Sequence, residues 1–368
     1  MIRLLAAWLA EWGIDAGFLR LVNYITVRAL LGMATALGLS LLFGFRFIVH
    51  LYDRGLRDTS GDFVSLSAES KRGTPTAGGL ILLASTLISV FLWGDLGSRF
   101  FWPLVGGFSY LSLVGLLDDS LKSRFKSSLS GLSQAAKTLL LLGCIVPFAV
   151  FLVSDLSPLP AAERTLLYIP FYKEPLLDLT PVGFVLFAVF AIFSIVNAVN
   201  ITDGMDGLLC GTSTFGLGVY LVYAYILGNT IYAHYLLFPY LPGAGEMAVF
   251  GGVLIGGILG FMWFNTYPAE VFMGDTGSLA IGGALAMMAF LTKQEMLFPI
   301  VGGVFVFEIF TSLMQQKVGD RIGRRVFHRA PFHHAMSHAG IPEPKVVVRF
   351  WIVALILATV GFLSLKIR

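Results

Sequence analysis

The sequence predicts an all-α, polytopic integral membrane protein with about ten transmembrane helices. Of the 368 residues, 57% are hydrophobic and 13% are charged, and the mean hydropathy is +0.82. These values are far from those of soluble domains. Apolar runs of near membrane length recur along the whole chain. Because lipid offers no hydrogen-bond partners, each run must pair its own backbone polar groups and is therefore expected to be a helix.

Ten apolar runs approach the roughly 20 residues that a helix needs to cross a bilayer. They comprise residues 24–50, 76–94, 100–117, 135–154, 181–199, 208–227, 247–265, 277–292, 297–316 and 346–365. We find no tandem repeat, low-complexity segment or soluble domain, so residues 1–368 are interpreted as one transmembrane domain. Before the first run, Leu4, Leu5, Trp8 and Trp12 recur at helical spacing, which favours a retained interfacial helix over a cleaved signal peptide.

The connections between the runs fall into two alternating sets that differ in basic residues. The first set comprises residues 51–75, 118–134, 197–208, 265–277 and 317–345. The second comprises residues 95–99, 155–180, 228–246 and 293–296, together with both termini. Lys and Arg are concentrated in the first set. The positive-inside rule therefore places the first set in the cytoplasm and both termini outside it.

The net charge argues against nucleic-acid binding, and the positions of the two cysteines argue against a disulfide. The net charge of +3 is too small to predict nucleic-acid binding. Cys144 and Cys210 lie within apolar runs and lack CxxC spacing. We therefore expect both to be core residues without a disulfide.

The most informative polar stretch is NAVNITDGMDGL, residues 197–208, which lies between two predicted spans. Asn200, Asp203 and Asp206 follow one another at three-residue steps, so they share a face if the stretch is helical. Gly204 lets the backbone approach a ligand closely. Such oxygen ligands and backbone N–H groups suit a hydrated divalent cation, a phosphate or a nucleotide. The alternative is a Gly-rich turn in which Asn and Asp cap helices.

Two more stretches place carboxylates at the ends of predicted spans. DDSLK begins with Asp118 and Asp119, and Lys122 stands four residues after Asp118, where it can pair with it or meet a phosphate. FMGDTGS places Asp275 between two glycines at the start of a span, where its carboxylate can face a hydrated cation. The alternatives are solvated acids at the membrane boundary for the first pair and an N-cap for Asp275.

The remaining polar stretches are basic or contain histidine. In PFHH, His333 and His334 follow a basic segment, and adjacent histidines in a loop suit phosphate binding or proton transfer near neutral pH. The basic segment equally suits attraction to anionic lipid headgroups. Lys71 precedes a Gly-Thr-Pro-Thr turn that suits a phosphate. All these stretches fall on the face predicted to be cytoplasmic, so the sequence predicts one shared site there.

Taken together, the stretches resemble the phospho-N-acetylmuramoyl-pentapeptide transferases of the polyprenyl-phosphate N-acetylhexosamine-1-phosphate transferase superfamily. DDSLK matches the DDxxK motif and is followed by GLSQAAK with Lys137. NAVNITDGMDGL matches NxxNxxDGxDGL, and FMGDTGS matches almost letter for letter. PFHHAMSHAGIPEPKVVVRFW resembles the histidine and PEPK segments of the muramoyl branch. The resemblance covers nearly the whole chain, with one departure: Ala335 stands where that branch usually has a third histidine.

The resemblance implies a reaction, a cofactor and a location. UDP-N-acetylmuramoyl-pentapeptide and undecaprenyl phosphate would give lipid I and UMP with Mg²⁺, as the first membrane step of peptidoglycan synthesis. The expected location is the bacterial cytoplasmic (inner) membrane with the active site facing the cytoplasm. The expected partners are both substrates and membrane lipids, and the resemblance also allows a homodimer.

The resemblance also assigns roles to residues. Asp275 is expected to hold Mg²⁺ on the pyrophosphate, Asp118 to deprotonate or orient the lipid phosphate with Asp119 in support, and His333 to complete the catalytic set. The expected substrate-binding residues are Lys71, Lys122, Lys137, Asn200, Asp203, Gly204, Asp206, Asn265, Phe272 and His334.

Two alternative functions stay open at this point. The nearest is a sister enzyme that transfers N-acetylglucosamine-1-phosphate to the same lipid. A more distant one is an ion-coupled transporter, because carboxylates inside a membrane often mark ion pathways. However, transporters usually bind near the membrane midplane and show repeated halves, whereas these acids lie at span ends in a chain without repeats.

Overall fold

The computed structural model describes residues 1–12, 17–55, 73–125 and 131–367. The predicted all-α architecture is confirmed, with 72% of the residues in helices. Helices of the described residues are α1 Ile2–Glu11, α2 Gly17–Leu21, α3 Ile25–Asp53, α4 Gly79–Trp93, α5 Phe101–Arg124, α6 Gln134–Val153, α7 Pro181–Thr202, α8 Leu208–Leu227, α9 Thr230–Tyr235, α10 Gly245–Asn265, α11 Gly274–Leu291, α12 Phe298–Val301, α13 Gly303–Met314, α14 Asp320–Ile322, α15 Phe332–His338 and α16 Glu343–Leu363.

Each of the ten predicted apolar runs coincides with helix, but not each forms a full-length span. Within the described ranges, eight helices are long and apolar enough to cross a membrane: α3, α5, α6, α7, α8, α10, α11 and α16. A ninth candidate is broken, because its segments Glu295–Val301 and Gly303–Gly319 meet at 80°. The remaining run, residues 76–94, forms α4, which has only 15 residues. The orientation of the termini stays a prediction.

Helices α10 and α11 form the centre of the molecule. Of their most apolar windows, 83% and 94% respectively are buried. Helices α3 and α8 pack against α10, while α5 and α7 pack against α11. Small residues permit this close packing. A Cβ on Gly256 of α10 would overlap the backbone of Met33 on α3.

The two ends of α10 carry different polar groups, an ion pair at the first turn and a site residue at the last. At its first turn, Glu246 forms a buried ion pair with Arg28 of α3, with Nη1 donating to Oε2 at 2.8 Å. The same carboxylate accepts the Asp95 N–H at 3.0 Å. Asn265 lies at the opposite end of α10 and belongs to the polar site described below.

Three local features differ from the sequence prediction. The connection 155–180 contains a two-stranded antiparallel ribbon, β1 Leu166–Leu167 with β2 Leu177–Asp178. The histidines expected in a loop lie on α15. Helix α5 continues to Arg124 instead of ending at Asp118 and Asp119, so these acids do not oppose a helix C-terminus. Lys122 and Arg124 occupy the last turn instead, where cations are favoured.

Candidate active site

Four helix ends bring two carboxylates and two lysines together. Asp275, at the start of α11, accepts from Lys122 Nζ of α5 at 2.9 Å and from Lys137 Nζ of α6 at 2.7 Å, both on Oδ2. Its Oδ1 accepts from the Asn200 side chain at the end of α7, at 2.7 Å. Asp118 Oδ2 lies 2.7 Å from the same Lys122 nitrogen and 3.6 Å from Lys137. We call these five residues the carboxylate–lysine cluster.

The cluster is buried but not closed. Asp118 and Asp275 are 2% and 9% exposed, whereas the Lys122 side chain keeps 32% of its surface. A buried carboxylate requires a partner charge or hydrogen bonds, and each acid has both. The second Asp118 oxygen accepts the Leu132 N–H at 2.6 Å. The lysines are therefore the groups of the cluster that a charged ligand can reach.

Asp119 faces away from the lysines and caps α11 from outside that helix. Its Oδ1 accepts the Asp275 N–H at 3.0 Å, and its Oδ2 accepts the Thr276 N–H at 3.0 Å and the Thr276 hydroxyl at 2.6 Å. A carboxylate at a helix N-terminus is stabilised by these unpaired amides and by the helix dipole. Asp119 therefore fixes the position of Asp275.

The N-cap interpretation of Asp275 does not fit this arrangement. The N-cap position of α11 is Met273, which makes no side-chain cap bond, and Asp275 directs its carboxylate to the lysines and Asn200. Gly274 has φ +71°, a left-handed conformation that favours glycine, and a Cβ there would meet Asp119 Oδ2 at 2.5 Å. The glycine before Asp275 is thus required by the capping contact.

The donor set of the cluster fits a Mg²⁺ ion that is shared with substrate phosphates. Among the described residues, no group of three or more His, Cys, Asp and Glu side chains forms a metal site. However, one lysine nitrogen already bridges Asp118 and Asp275. Mg²⁺ commonly takes one or two carboxylates and completes its shell with phosphates and water. Two neighbouring carboxylates therefore suit a metal that arrives with its ligand.

The stretch between α7 and α8 is a turn and not a continuous helix, and we call residues 203–207 the central turn. Helix α7 ends at Thr202, Asp203 is its C-cap, and α8 begins only at Leu208. The expectation that Asp203 and Asp206 share a helical face is therefore wrong. Gly204 and Gly207 interrupt the helix, and Gly207 has φ +76°.

Asp206 and Asn265 hold this turn against the following loop. Asp206 Oδ2 accepts the Ala269 N–H at 3.1 Å. Asn265 Oδ1 accepts the Gly207 N–H at 3.0 Å, and its amide donates to the Val271 carbonyl at 2.9 Å. Both side chains were expected to bind substrate, but these bonds direct them to the protein backbone. Their role in this structure is to hold the backbone of the turn and of the loop after α10 in position.

The C-terminal helix α16 supports the same turn. Glu343 Oε1 accepts the Asp206 N–H at 2.9 Å, and Trp351 Nε1 donates to the Gly207 carbonyl at 3.2 Å. Glu343 belongs to the PEPK segment. This segment therefore reaches the central turn although more than 130 residues separate them in the chain.

His333 approaches the turn from its other side. Its Nδ1 lies 3.0 Å from Oε2 of Glu308 on α13, and both side chains are completely buried. A Cβ on Gly204 would overlap His333 Nε2. The His334 ring stacks at a tilt on that of His333, with ring centroids 4.2 Å apart.

The other predicted substrate-binding residues are placed less centrally. Phe272 is half-buried, and its backbone pairs with Pro75 and Gly78, which joins the turn before α4 to the start of α11. Lys71 lies outside the described residues.

Several residues at the site were missed by the sequence analysis, namely Glu308, Glu343, Thr276, Ser278 and Trp351. Glu308 carried a usable signal, because an isolated carboxylate within an apolar run indicates function by default. The others have none, since their contacts depend on how distant segments meet. Ser278, for example, accepts from the Asn200 amide at 2.8 Å across two helices.

Comparison with known families identifies a family that matches the central part of the chain. Residues 101–293, more than half of the chain, match the family described as Glycosyl transferase family 4. The matched segment contains the whole carboxylate–lysine cluster and the central turn, while Glu308, His333 and Glu343 lie beyond it.

Proposed function

The chain belongs to glycosyl transferase family 4, and we propose that it transfers phospho-N-acetylmuramoyl-pentapeptide from its UDP-activated form to undecaprenyl phosphate, giving lipid I and UMP. At the level of the family, the reaction is transfer of a phospho-sugar from a nucleotide-sugar donor to a polyprenyl phosphate. The observation that carries the proposal is the carboxylate–lysine cluster at the ends of membrane-length helices. A site there can receive both a soluble donor and a lipid acceptor.

Lys122 and Lys137 supply the charge that phosphoryl transfer requires. Such a reaction depends mainly on positioning the phosphates and neutralising their developing charge. Both ammonium groups are held on Asp275 Oδ2, so they are preorganised before a ligand arrives. Incoming phosphate oxygens would share these donors with the carboxylates, as charge-assisted hydrogen bonds.

Asp118 is the residue best placed to orient the acceptor phosphate or to take its proton. The Leu132 N–H fixes one carboxylate oxygen, and Lys122 contacts the other. Asp119 would act through the backbone of Asp275 and Thr276 rather than on substrate.

Mg²⁺ is part of the proposal, with Asp275 as its main ligand and Asp118 beside it. When bound, the ion would neutralise the pyrophosphate of the donor and favour UMP as leaving group. Asn200 would keep the Asp275 carboxylate oriented through its bond to Oδ1.

The donor nucleotide is proposed to lie between the central turn and the start of α11. Asp203, Gly204 and Phe272 border this region, and Lys71 and His334 complete the proposed set. Asp206 and Asn265 contribute by holding the turn. His333 is proposed to face the pyrophosphate, because its Nε2 approaches Gly204.

The choice of the muramoyl sugar rests on the segment at the start of α16. PEPKVVVRFW resembles the muramoyl branch, and Glu343 of that segment hydrogen-bonds the central turn. Accordingly we propose a role in bacterial peptidoglycan synthesis at the cytoplasmic membrane, with the site facing the cytoplasm. The nearest alternative remains transfer of N-acetylglucosamine-1-phosphate.

An assay with both nucleotide sugars tests the proposal. The purified chain in detergent is mixed with undecaprenyl phosphate, Mg²⁺ and either UDP-N-acetylmuramoyl-pentapeptide or UDP-N-acetylglucosamine, and UMP release is measured. We expect UMP release with UDP-N-acetylmuramoyl-pentapeptide and not with UDP-N-acetylglucosamine. Release with the second donor alone would identify the sister activity. UMP release without an ion gradient would exclude ion-coupled transport as the sole activity, whereas no release with either donor would contradict the proposed reaction.

A further inference from the structure

The interior of α13 contains a carboxylate that the proposed reaction does not use. Glu308 is completely buried in a helix whose other residues carry no charge. It accepts the backbone N–H of His333 at 3.2 Å on Oε1, and its Oε2 lies 3.0 Å from His333 Nδ1. One carboxylate thus holds both the start of α15 and the imidazole ring.

Because Glu308 occupies Nδ1 of the His333 ring, Nε2 is the ring nitrogen that can contact a ligand. Because a carboxylate accepts, Nδ1 must carry a proton in this geometry. His333 Nε2 is buried and has no hydrogen-bond partner among the described residues. A Cβ on Gly204 would overlap this nitrogen, so Nε2 faces the space beside Gly204.

Charge decides the state of Nε2. A buried carboxylate without a countercharge is costly, and the Glu308 carboxylate on α13 contacts the His333 ring, with the His334 ring beside it. The ligand expected at this turn is a phosphate, which would repel the lone pair of a neutral Nε2. A second ring proton gives the imidazole a positive charge that balances the Glu308 carboxylate, and it gives Nε2 an N–H that can donate to the phosphate.

We propose that Glu308 is a positioning residue, which holds His333 protonated with Nε2–H directed past Gly204 toward a phosphate oxygen of the nucleotide-sugar donor. This inference rests on the proposed function, because it needs an anionic donor at the central turn. Glu308 itself does not touch the substrate. The arrangement resembles other sites in which a carboxylate orients a histidine whose second nitrogen acts on the substrate.

A double-mutant cycle measures whether Glu308 acts through His333. Glu308→Gln keeps the size and an acceptor but removes the charge, and we expect UMP release to fall by about 10- to 100-fold. Glu308→Asp keeps the charge and should retain more activity. In a His333→Gln background, Glu308→Gln should have little further effect, because the residue through which it acts is gone. Additive losses would overturn the proposal.

Thr311→Val is the matched control. Thr311 is buried one turn further along α13, and its hydroxyl donates to the Glu308 carbonyl at 2.9 Å, so its loss should leave UMP release near that of the wild type. Melting temperatures of all variants report folding.

Nitrogen NMR of histidine-labelled protein tests the same pair without any activity. The His333 signals, assigned by their loss in His333→Gln, should show protons on both nitrogens in the wild type and a neutral ring in Glu308→Gln. A His333 spectrum that does not respond to Glu308→Gln would overturn the inference. If the wild type releases no UMP while the NMR change is seen, the pair stands and the proposed reaction fails.

Discussion

At the scale of single residues, three aspartates of similar sequence context have different surroundings. Asp118 and Asp275 share lysines, whereas Asp119 accepts three hydrogen bonds from Asp275 and Thr276. Adjacent positions on α5 therefore carry one carboxylate that contacts the lysines and one that caps a neighbouring helix. The DDSLK letters predict a cluster of acids but not this division, because it depends on the approach of α11.

The two adjacent aspartates should respond differently to the same substitution. Asp119→Asn places an amide donor against backbone N–H groups, so we expect it to destabilise the protein by about 1–3 kcal/mol. Asp118→Asn keeps the acceptor for Leu132 and should leave the melting temperature nearly unchanged, while turnover falls on the order of 100-fold. Thermal unfolding and UMP release of both variants make the comparison. A larger loss of stability in Asp118→Asn would reverse the assignment.

At the scale of elements, sequence reasoning located the helices well and their ends less well. The apolar runs predicted the membrane-length helices, the broken pair α12 and α13, and α4, because membrane helices must pair their own backbone, whereas α9, α14 and α15 lie outside the predicted runs. Two boundaries shifted: α5 continues beyond the predicted residue 117 to Arg124, and α7 ends at Thr202, within the stretch 197–208 whose acids were expected to share a helical face. Both shifts alter the site, since the first turns Asp118 and Asp119 toward α11 and the second separates Asp203 from Asp206. The sequence could not predict them, because polar helix turns are stabilised by tertiary partners.

The central turn should tolerate no side chain at Gly204. An alanine Cβ would overlap His333 Nε2, and this ring cannot move freely because it is buried and held by Glu308. We expect Gly204→Ala to lower UMP release at least about tenfold, as overpacking displaces the ring.

Gly218→Ala on α8 provides the control for that prediction. A Cβ there meets nothing within 4 Å, and alanine favours helix over glycine. This variant should match or slightly exceed the wild type in stability with unchanged turnover. Equal activity of Gly204→Ala and Gly218→Ala would show that the close approach of His333 does not matter.

At the scale of the whole molecule, polar groups from distant segments converge. Asp118, Lys137, Asn200 and Asp275 lie on four helices whose ends meet. The sequence predicted that these stretches share one membrane face from Lys and Arg counts alone, and their proximity agrees with a shared site. Which face this is remains a prediction. The sequence analysis did not identify Glu308 as a site residue, because the apolar run around it was interpreted only as a membrane span.

Cysteine accessibility tests the predicted orientation. Lys173→Cys lies in the connection 155–180 and is exposed, and Arg124→Cys lies at the end of α5, near the carboxylate–lysine cluster. A membrane-impermeant thiol reagent applied outside cells should label the first and not the second. The unsubstituted chain gives the background from Cys144 and Cys210. The opposite labelling pattern would place the site outside the cytoplasm.

The most direct test of the central claim, that the carboxylate–lysine cluster performs phosphoryl transfer, is UMP release by Asp275→Asn as a function of Mg²⁺ concentration. The substitution keeps the size and one oxygen but removes the charge that holds both lysines and that is proposed to bind Mg²⁺. We predict a loss on the order of 10²–10⁴ in turnover, a weakened Mg²⁺ dependence and a folded protein by thermal melting. Asp155→Asn, at an exposed ion pair with Arg164, should behave as the wild type. A folded Asp275→Asn variant that retains more than about a tenth of wild-type turnover would contradict the account.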